Sequence, residues 1–349
     1  MHFASDNWAG AHPKVAGNLS RHAAGFAAAY GTSDLDKAVE KTFCEIFERE
    51  VTVFFVATGT AANSLSVTAM SRPGGLVFAH REAHLIEDEC GAPEYLSGGT
   101  RLHPVDGELG RMDPKRLGAA IGQFEPVFVH AGQPVGVSIT QSTEIGTVYS
   151  LAEIEAIAKT SRDHGLPLHM DGARFANALV SLGTTPAEMT WRCGVDLVSF
   201  GGTKNGCWCA EALVVFDPAK VGDIPFIRKR AAQLFSKSRF VAAQFQAYFE
   251  NGLWLETARH SNAMAARLAG HFEASGKVRL AWKPEANEVF GIMMKETADA
   301  LQAKGAIFHP WKPPHGFTGG IGEGETLCRF VTSFATSEEE IDSFGDLIT

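Results

Sequence analysis

The sequence predicts an α/β fold, with a mostly parallel central sheet, helices on both faces and a smaller C-terminal α+β lobe. Between Thr52 and about Phe216, short apolar runs alternate with longer helical segments, which is typical of parallel strands joined by helices. Residues 227–273 then have a helical pattern, and residues 278–348 mix short strands with helices. A chain of 349 residues with 45% hydrophobic content is long enough to bury a large core.

The individual elements follow from the local pattern of apolar and turn-forming residues. An amphipathic helix is predicted at Leu35–Glu50, before the first strand. The predicted strands are Val53–Ala57, Leu76–Ala79, Val127–Ala131 with Ser138–Ile139, Leu166–Met170, Leu197–Phe200 and Ala212–Phe216. The predicted helices between them are Ala61–Met70, Leu151–His164 and Pro186–Cys193. The phenylalanines of the long helical segment that we expect to pack are Phe235, Phe240, Phe245 and Phe249.

The domain boundary depends on this change of pattern alone, because the chain shows no internal repeat and no low-complexity linker. We expect a large domain at residues 1–250, which includes an irregular N-terminal segment at residues 1–30. The small domain is expected at residues 251–349.

Composition and charge argue against several classes of function. The net charge is −9 and no basic cluster is interleaved with aromatic residues, so a nucleic-acid partner is not expected. Residues 51–70 carry no charge over the length of a membrane span, but Gly59 and Asn63 divide them into strand, turn and helix. The first residues lack the pattern of a secretory signal and the six cysteines have no framework spacing, so we expect reduced thiols in the cytoplasm. No metal is expected, because two candidate pairs lack the spacing of a metal site: His80 with His84, and Cys207 with Cys209.

Lys204 lies in the glycine-rich stretch SFGGTKNG (residues 199–206), just past an apolar run. An amine at the end of a buried strand is costly to desolvate unless it is paired or used covalently. Covalent attachment to an aldehyde is the obvious use, and pyridoxal phosphate (PLP) is the commonest aldehyde cofactor. Taken alone, the stretch fits a surface lysine in a glycine-rich loop equally well.

Asp171 ends the apolar part of the stretch LPLHMDGAR (residues 166–174), one predicted helix and one strand before Lys204. Ligands of an open α/β sheet bind at the carboxyl ends of the strands, where both side chains would open. PLP needs an acid opposite its ring nitrogen, because the protonated ring withdraws electrons. Alone, Asp171 fits a helix N-cap; together with Lys204 it favours the cofactor.

A third stretch, Thr58-Gly59-Thr60, joins the apolar run Val53–Ala57 to an alanine-rich helical segment. A strand, a glycine turn and a helix start present free backbone N–H groups and a positive helix end to a phosphate. The same stretch also fits an ordinary connection between a strand and a helix.

With these residues, the chain resembles the L-threonine aldolase family of fold-type I PLP-dependent enzymes, in particular its low-specificity and phenylserine-type bacterial members. The most specific strings are HMDGAR (residues 169–174) and FGGTKNG (residues 200–206). Weaker strings extend the resemblance over nearly the whole chain, at residues 3–7, 29–31, 63, 83–84, 88–94, 139–149, 228–230 and 328–330.

The resemblance implies a large PLP-binding domain in which Lys204 carries the cofactor and Asp171 pairs with its ring nitrogen. His84 is implied to stack on the ring face and to act near the substrate hydroxyl; a helix-cap or core histidine is the alternative. The expected cofactor-binding residues are Gly59, Thr60, His84, Asp171, Arg174, Thr203, Lys204, Arg230 and Lys237. Of these, Arg230 and Lys237 are candidates to reach the phosphate from a neighbouring subunit.

Two arginines are candidates for the carboxylate of an amino-acid substrate, since a guanidinium fork suits a carboxylate. Arg174 follows Asp171 by three residues and can face the same crevice, whereas Arg329 fits a surface salt bridge as an alternative. We expect Ser5 to add a hydroxyl and Tyr30 to approach the site from the N-terminal segment.

The implied activity is retro-aldol cleavage of L-threonine, L-allo-threonine or phenylserine to glycine and an aldehyde. A homo-oligomer, a dimer of dimers with shared active sites, is implied by the resemblance alone. Family members commonly offer a second histidine in a Thr-His string, but this chain has QSTE at residues 141–144. The base at the β-hydroxyl is therefore left open between His84 and an ordered water. The alternatives are another PLP reaction, such as transamination or β-elimination, and a non-catalytic protein that keeps the fold.

Overall fold

The computed structural model describes residues 1–125 and 127–349. Its strands are β1 Thr52–Val56, β2 Gly75–His80, β3 Arg101–Val105, β4 Gly107–Glu108, β5 Arg111–Met112, β6 Gln133–Thr140, β7 Leu168–Gly172, β8 Leu197–Gly201, β9 Glu211–Val215, β10 Val278–Leu280, β11 Glu288–Met294, β12 His309–Pro310 and β13 Glu325–Val331. Its α-helices are α1 Pro13–Arg21, α2 Asp34–Ile46, α3 Gly59–Met70, α4 His84–Glu87, α5 Ala92–Leu96, α6 Pro114–Ile121, α7 Leu151–Asp163, α8 Phe175–Leu182, α9 Pro186–Met189, α10 Ile224–Arg230, α11 Arg239–Phe249, α12 Leu253–Ala274, α13 Lys295–Ala303 and α14 Glu338–Ile348.

The central sheet has seven strands in the order β1-β9-β8-β7-β6-β2-β3. Neighbours from β3 through β8 are parallel, and β9 runs antiparallel to both β8 and β1. The register places Thr140, Asp171 and Ser199 side by side near the carboxyl ends of β6, β7 and β8. The predicted mostly parallel sheet is therefore present, and its crevice is where such sheets bind ligands.

The core of the sheet is rich in phenylalanine. Phe43 on α2 lies edge-to-face with Phe200 and Phe245, with ring centroids 5.2 and 5.3 Å away. Such pairs add roughly 0.5–1.5 kcal/mol each beyond the area they bury. Of the four phenylalanines predicted to pack, Phe245 is fully buried and Phe235 and Phe249 lie against this cluster. Phe240 is instead half-buried under the guanidinium of Arg239.

A second sheet, with the order β10-β11-β13-β12, forms the C-terminal lobe together with α13 and α14. Helix α12 joins the two cores, because Trp254 packs in the first and Leu268 in the second. The N-terminus also belongs to this lobe, since Phe3 is buried there and bonds the backbone of Ile307. The division at residue 250 stays a prediction.

The predicted strand Val127–Ala131 is wrong. The amides of Phe128 and Ala131 bond Glu125 and Phe128 in local turns, which leaves no ladder to a neighbouring strand, and the side chains of Val127 and Val129 are exposed. The strand that pairs with β2 and β7 begins at Gln133.

The long helical segment is divided into α10, α11 and α12. The break before α12 lies at Asn251 and Gly252, whose φ angles of 54° and 71° end a right-handed helix. No helix in residues 1–125 and 127–349 combines the length and apolarity that a membrane span requires.

Candidate active site

A cavity of about 330 Å³ opens at the carboxyl ends of β7 and β8. Six of the residues predicted for the site line it: Gly59, Thr60, His84, Asp171, Thr203 and Lys204. The N-terminal segment reaches the same cavity through Asn7. A larger cavity, about 660 Å³, lies between Arg162, Trp191 and Lys220 and contains none of the predicted residues.

Lys204 lies in a short 3₁₀ turn, Thr203–Asn205, directly after β8. The side chain of Asn205 donates to the Tyr248 hydroxyl and to the carbonyl of Trp254, both at 2.8 Å, and so anchors the turn in the core. Gly201 is required before the turn, because a Cβ there would lie 2.6 Å from the carbonyl oxygen of Ala173. Within the described residues the amine of Lys204 has no ion pair and no hydrogen bond, so it is free to react.

Asp171 ends β7 with a buried carboxylate. One oxygen accepts from the side-chain amide of Asn63 at 2.8 Å, and the other accepts from the backbone N–H of Ala173 at 3.0 Å. Burial raises the pKa of Asp171, and His84 and Asn63 oppose that rise. A positively charged group in the cavity would therefore be stabilised by this carboxylate.

His84, at the start of α4, is joined to Asp171 through two further residues. Its Nδ1 lies 2.9 Å from a carboxylate oxygen of Glu89, and the same oxygen accepts from Asn63 at 2.9 Å. Burial opposes charge on the imidazole, but Glu89, Glu144 and Asp171 outweigh burial and raise the pKa of His84. The ring is thus held in one orientation and favoured in its protonated form.

The N-terminus of α3 provides the anion cradle. The Thr58 hydroxyl accepts from the N–H of Ala61 at 3.1 Å, which caps the helix. The N–H groups of Gly59 and Thr60 precede it in the first turn, where a helix supplies no partners of its own. They line the cavity together with the positive end of the helix, which suits a phosphate.

Arg174 lies beside this cavity, deep in a cluster of acids. Its guanidinium donates to both oxygens of Asp6, at 2.7 and 3.1 Å. Its Nη1 lies 3.3 Å from Glu288 and 4.0 Å from Glu144 but makes no hydrogen bond in the part of the chain that the structure describes. Burial opposes its charge, yet the three carboxylates outweigh burial and hold the pKa of Arg174 above its usual value.

Arg329, on β13 of the C-terminal lobe, meets the same acids. Its Nη1 lies 3.6 Å from Glu288, and its guanidinium lies 3.8 Å from the ring centroid of Trp311. Glu288 is fully buried, and neither of its oxygens accepts a hydrogen bond from residues 1–125 or 127–349. Burial raises its pKa to about 7 despite Arg174 and Arg329. Arg329 therefore lies in a buried cluster and not in a surface salt bridge.

Besides Arg174 and Arg329, four more predicted residues do not line the cavity of their own chain. The Ser5 hydroxyl accepts from the N–H of Asn7 and caps the short turn Asp6–Trp8. Tyr30 is half-exposed, because its segment lies against Ser236. Arg230 and Lys237 are exposed on the single chain. That they contact the phosphate of a neighbouring subunit stays a prediction.

Sequence reasoning did not assign roles to the acids that connect the site. Asn63 and Glu89 lay within the strings of the resemblance, so their place in the chain was a usable signal. Asp6 lay in the string at residues 3–7 in the same way. Glu211 and Glu288 gave no signal, because only the fold brings them to the cavity or to the arginines.

Three comparisons with known proteins agree with this geometry. Residues 2–296 match the family model described as "Beta-eliminating lyase". The chain is 38% identical to the low specificity L-threonine aldolases of Pseudomonas sp. (strain NCIMB 10558) and of Pseudomonas aeruginosa, over 97% of this chain and 94% of each relative. The threonine aldolase of Leishmania major superposes with a TM-score of 0.91 at 29% identity, covering 99% of this chain and 98% of that one. The predicted fold class is confirmed.

Proposed function

The chain belongs to the beta-eliminating lyase family, and on this premise we propose that it is a PLP-dependent aldolase. Its substrates are L-threonine, L-allo-threonine or related β-hydroxy-α-amino acids such as phenylserine, which it cleaves to glycine and an aldehyde. The observation that carries the proposal is that Lys204 and Asp171 line one cavity, in a chain whose relatives are named low specificity L-threonine aldolases.

The residues of the cavity fit PLP in chemistry and in volume. Lys204 supplies a free amine for the aldehyde, and Asp171 supplies a buried carboxylate for the ring nitrogen. His84 offers an oriented ring, and Gly59 and Thr60 offer N–H groups for the phosphate. A volume of about 330 Å³ lies within the range of small-molecule sites. When bound, PLP supplies an electron sink for the pair released at Cα.

The side chains around the cavity orient the substrate. Arg174 and Arg329 would bind its carboxylate, and their unpaired nitrogens, Nη1 and Nε, are the donors still available. Fixing the carboxylate decides which bond at Cα breaks. His84, held by Glu89 and protonated, would donate a hydrogen bond into the cavity.

The remaining parts of the proposal concern the assembly. Arg230 and Lys237 are exposed in the single chain, which is what residues that serve a neighbouring subunit's phosphate require. We therefore include a homo-oligomer with shared sites, together with the cytoplasmic location that the sequence predicts.

The test is a substrate panel with purified, PLP-loaded protein. L-Threonine, L-allo-threonine and phenylserine are each expected to yield glycine and the matching aldehyde, measured by amino-acid chromatography and an aldehyde assay. Keto acid without aldehyde would instead assign another PLP reaction, and protein that gains no visible absorbance with PLP would point to a non-catalytic member.

Lys204→Ala is the first variant to compare. We expect it to lose the visible absorbance of attached PLP and nearly all turnover, because no other free amine lines the described cavity. Lys159→Ala, which removes an exposed lysine on α7 paired with Asp163, is the matched control and should keep both. An active Lys204→Ala protein would contradict the assignment.

A further inference from the structure

We propose that Glu144 is the base that accepts the β-hydroxyl proton of the substrate when the Cα–Cβ bond breaks. This inference rests on the proposed aldolase function and assigns a residue to a step that the sequence left open between His84 and an ordered water.

Glu144 is presented by a buried loop, residues 141–149, which follows the carboxyl end of β6. The side chain of Gln141 closes the loop, since its amide donates to the carbonyl of Tyr149 and its oxygen accepts from the N–H of Tyr149, both at 2.9 Å. Within the loop, the N–H of Thr143 donates to the carbonyl of Thr147 at 2.9 Å. A loop whose backbone is satisfied in this way holds Glu144 in one place before the substrate arrives.

The C-terminal lobe braces the loop from the other side. Trp282 donates to the carbonyl of Ile145 at 2.9 Å, next to Glu144 in sequence. Glu285 accepts from the N–H of Val148 at 2.6 Å, and its own N–H donates to Gly146 at 3.0 Å. The position of Glu144 is therefore fixed by both lobes.

The carboxylate of Glu144 is the part of this loop that stays unused. Within residues 1–125 and 127–349 it accepts no hydrogen bond, its ion pair with Arg174 is 4.0 Å long, and 8% of the side chain is exposed. Burial alone would raise its pKa, but Lys204, Arg174, His84 and Arg329 outweigh burial and lower it. Glu144 therefore lies 4.0 Å from Arg174, a candidate for the substrate carboxylate, and its lone pairs are free to take a proton because no described residue donates to them. The lowered pKa of Glu144 favours the ionised form that a base requires.

The other acids near the cavity are less suited to this step, because each already accepts a hydrogen bond or is fully buried. Asp6 accepts from Arg174 and Asn287, Glu89 and Asp171 accept from Asn63, Glu211 accepts from Thr203, and Glu288 is fully buried with a raised pKa. His84 is held at Nδ1 by Glu89, and the neighbouring acids raise its pKa, which favours it as a proton donor at this step.

The step balances without a further reactant. Glu144 takes the proton of the β-hydroxyl, and the electron pair of the O–H bond becomes the second bond of the new carbonyl. The Cα–Cβ bond breaks, its electron pair stays at Cα, and the aldehyde leaves. Cα then takes up one proton from solvent to give glycine, and Glu144 releases its proton to solvent, so the protons balance.

Glu144→Gln is the decisive variant, because the amide keeps the size of the side chain and cannot accept the proton. The kcat for L-threonine is expected to fall by about 10²–10⁴-fold, with KM changed less than about threefold. The control reaction is exchange of the glycine Cα proton with D₂O, followed by NMR, which needs Lys204 and the cofactor but no base at a β-hydroxyl. That exchange should stay within about threefold of the wild type.

Two further measurements separate a base from a structural residue. Glu144→Asp keeps a carboxylate and should recover part of the lost kcat. The acid limb of kcat against pH, present in the wild type because Glu144 must be ionised, should be absent from the residual activity of Glu144→Gln.

The outcomes are distinguishable from a failure of the proposed function. If the PLP-loaded wild type releases no aldehyde from any β-hydroxy amino acid, the aldolase function fails and the inference with it. If the wild type cleaves L-threonine and Glu144→Gln does so at a similar rate, the assignment of Glu144 alone is overturned. An equal loss of cleavage and glycine exchange would also overturn it, since Glu144 would then act only through the structure.

Discussion

The two sides of the active site satisfy their polar groups very differently. On the aspartate side, which we define as Asn63, His84, Glu89 and Asp171, each carboxylate accepts at least one hydrogen bond from a neighbour. Among the described residues, the atoms of this side that stay buried without a partner are one oxygen of Asn63 and one of Glu89. In the arginine cluster, defined as Asp6, Glu144, Arg174, Glu288 and Arg329, both oxygens of Glu288, one nitrogen of each arginine and the whole Glu144 carboxylate have no hydrogen bond within residues 1–125 and 127–349.

The difference matches the residence time of the two groups that the site is proposed to hold. A buried unsatisfied polar group costs about 1–3 kcal/mol, and native proteins keep few of them outside functional sites. A cofactor that stays bound can be met by a network in which every carboxylate already accepts a hydrogen bond. A substrate carboxylate that binds and leaves in every turnover needs buried, positioned donors that make no other hydrogen bond. Among the described residues, Nη1 of Arg174 and Nε of Arg329 are such donors. The arginine cluster is therefore organised for an exchangeable anion.

The largest effect is expected on the aspartate side. Asp171→Asn should lower kcat by about 10²–10³-fold, because removing one partner of a buried charge pair costs roughly 3–5 kcal/mol and an amide cannot hold a proton on the ring nitrogen. Steady-state cleavage of L-threonine and the affinity for PLP, from equilibrium dialysis, measure the change. Asp163→Asn, at an exposed pair with Lys159, is the control and should leave both values unchanged.

A kcat for Asp171→Asn within threefold of the wild type would break the comparison. The hydrogen bonds on the aspartate side would then stabilise the fold and not the cofactor. In that case the variant would lose free energy of unfolding without losing turnover.

A smaller effect, and one confined to substrate binding, is expected in the arginine cluster. Arg329→Lys keeps the charge but loses the fork and the contact with Trp311. Since a hydrogen bond to a charged group contributes about 1.5–3 kcal/mol, KM for L-threonine should rise about 10–100-fold with little change in kcat. The control is Arg279→Lys, which alters a more exposed arginine of the same lobe that pairs with Glu325.

The kinetic parameter that changes decides the second test. A fall in kcat with KM unchanged would place Arg329 with the chemistry and not with substrate binding. The difference between the two sides could then not be explained by a cofactor that stays bound on one side and a substrate that exchanges on the other.

Sequence reasoning reached the aspartate side more fully than the arginine cluster, and the physical reason is locality. Asp171 lies near the end of one apolar strand and Lys204 follows the next, so the rule that ligands bind at the carboxyl ends of parallel strands predicted one shared crevice for both. Both side chains line the same cavity. The N-terminus of α3 was predicted for the same reason, since the residues that would bind the phosphate are consecutive in the sequence.

The arginine cluster depends on contacts between distant parts of the chain. Asp6 pairs with Arg174, and Glu288 joins Arg174 to Arg329, through packing of the two lobes that no local pattern encodes. The prediction of a strand at residues 127–131 was wrong for the opposite reason. Their local pattern suits a strand, but the sheet pairs with the next segment instead. Periodicity reports what a segment can bury, and it does not report which segment the fold selects.

The smallest effect is expected for Glu211, which lines the cavity but belongs to neither the aspartate side nor the arginine cluster. This buried carboxylate lines the cavity and accepts from the N–H of Thr203 at 3.3 Å, yet burial raises its pKa from 4.5 to about 7. Because the folded state binds this proton more tightly than the unfolded chain, the resulting stability is complete below about pH 4.5 and is lost as the pH rises through about 7.

Glu211→Gln should abolish that loss, since a neutral amide has no charge to desolvate. The cofactor-free variant should therefore be more stable than the wild type at pH 8, by no more than about 3 kcal/mol, with the difference shrinking towards pH 5. Urea denaturation at both pH values measures it, with Glu45→Gln on the exposed face of α2 as the control. A variant that is less stable than the wild type by the same amount at pH 5 and pH 8 would mean that Glu211 keeps its hydrogen bond in one charge state throughout. Burial of Glu211 would then not make stability depend on pH. The acids that are costly to bury would lie in the arginine cluster and not beside Lys204.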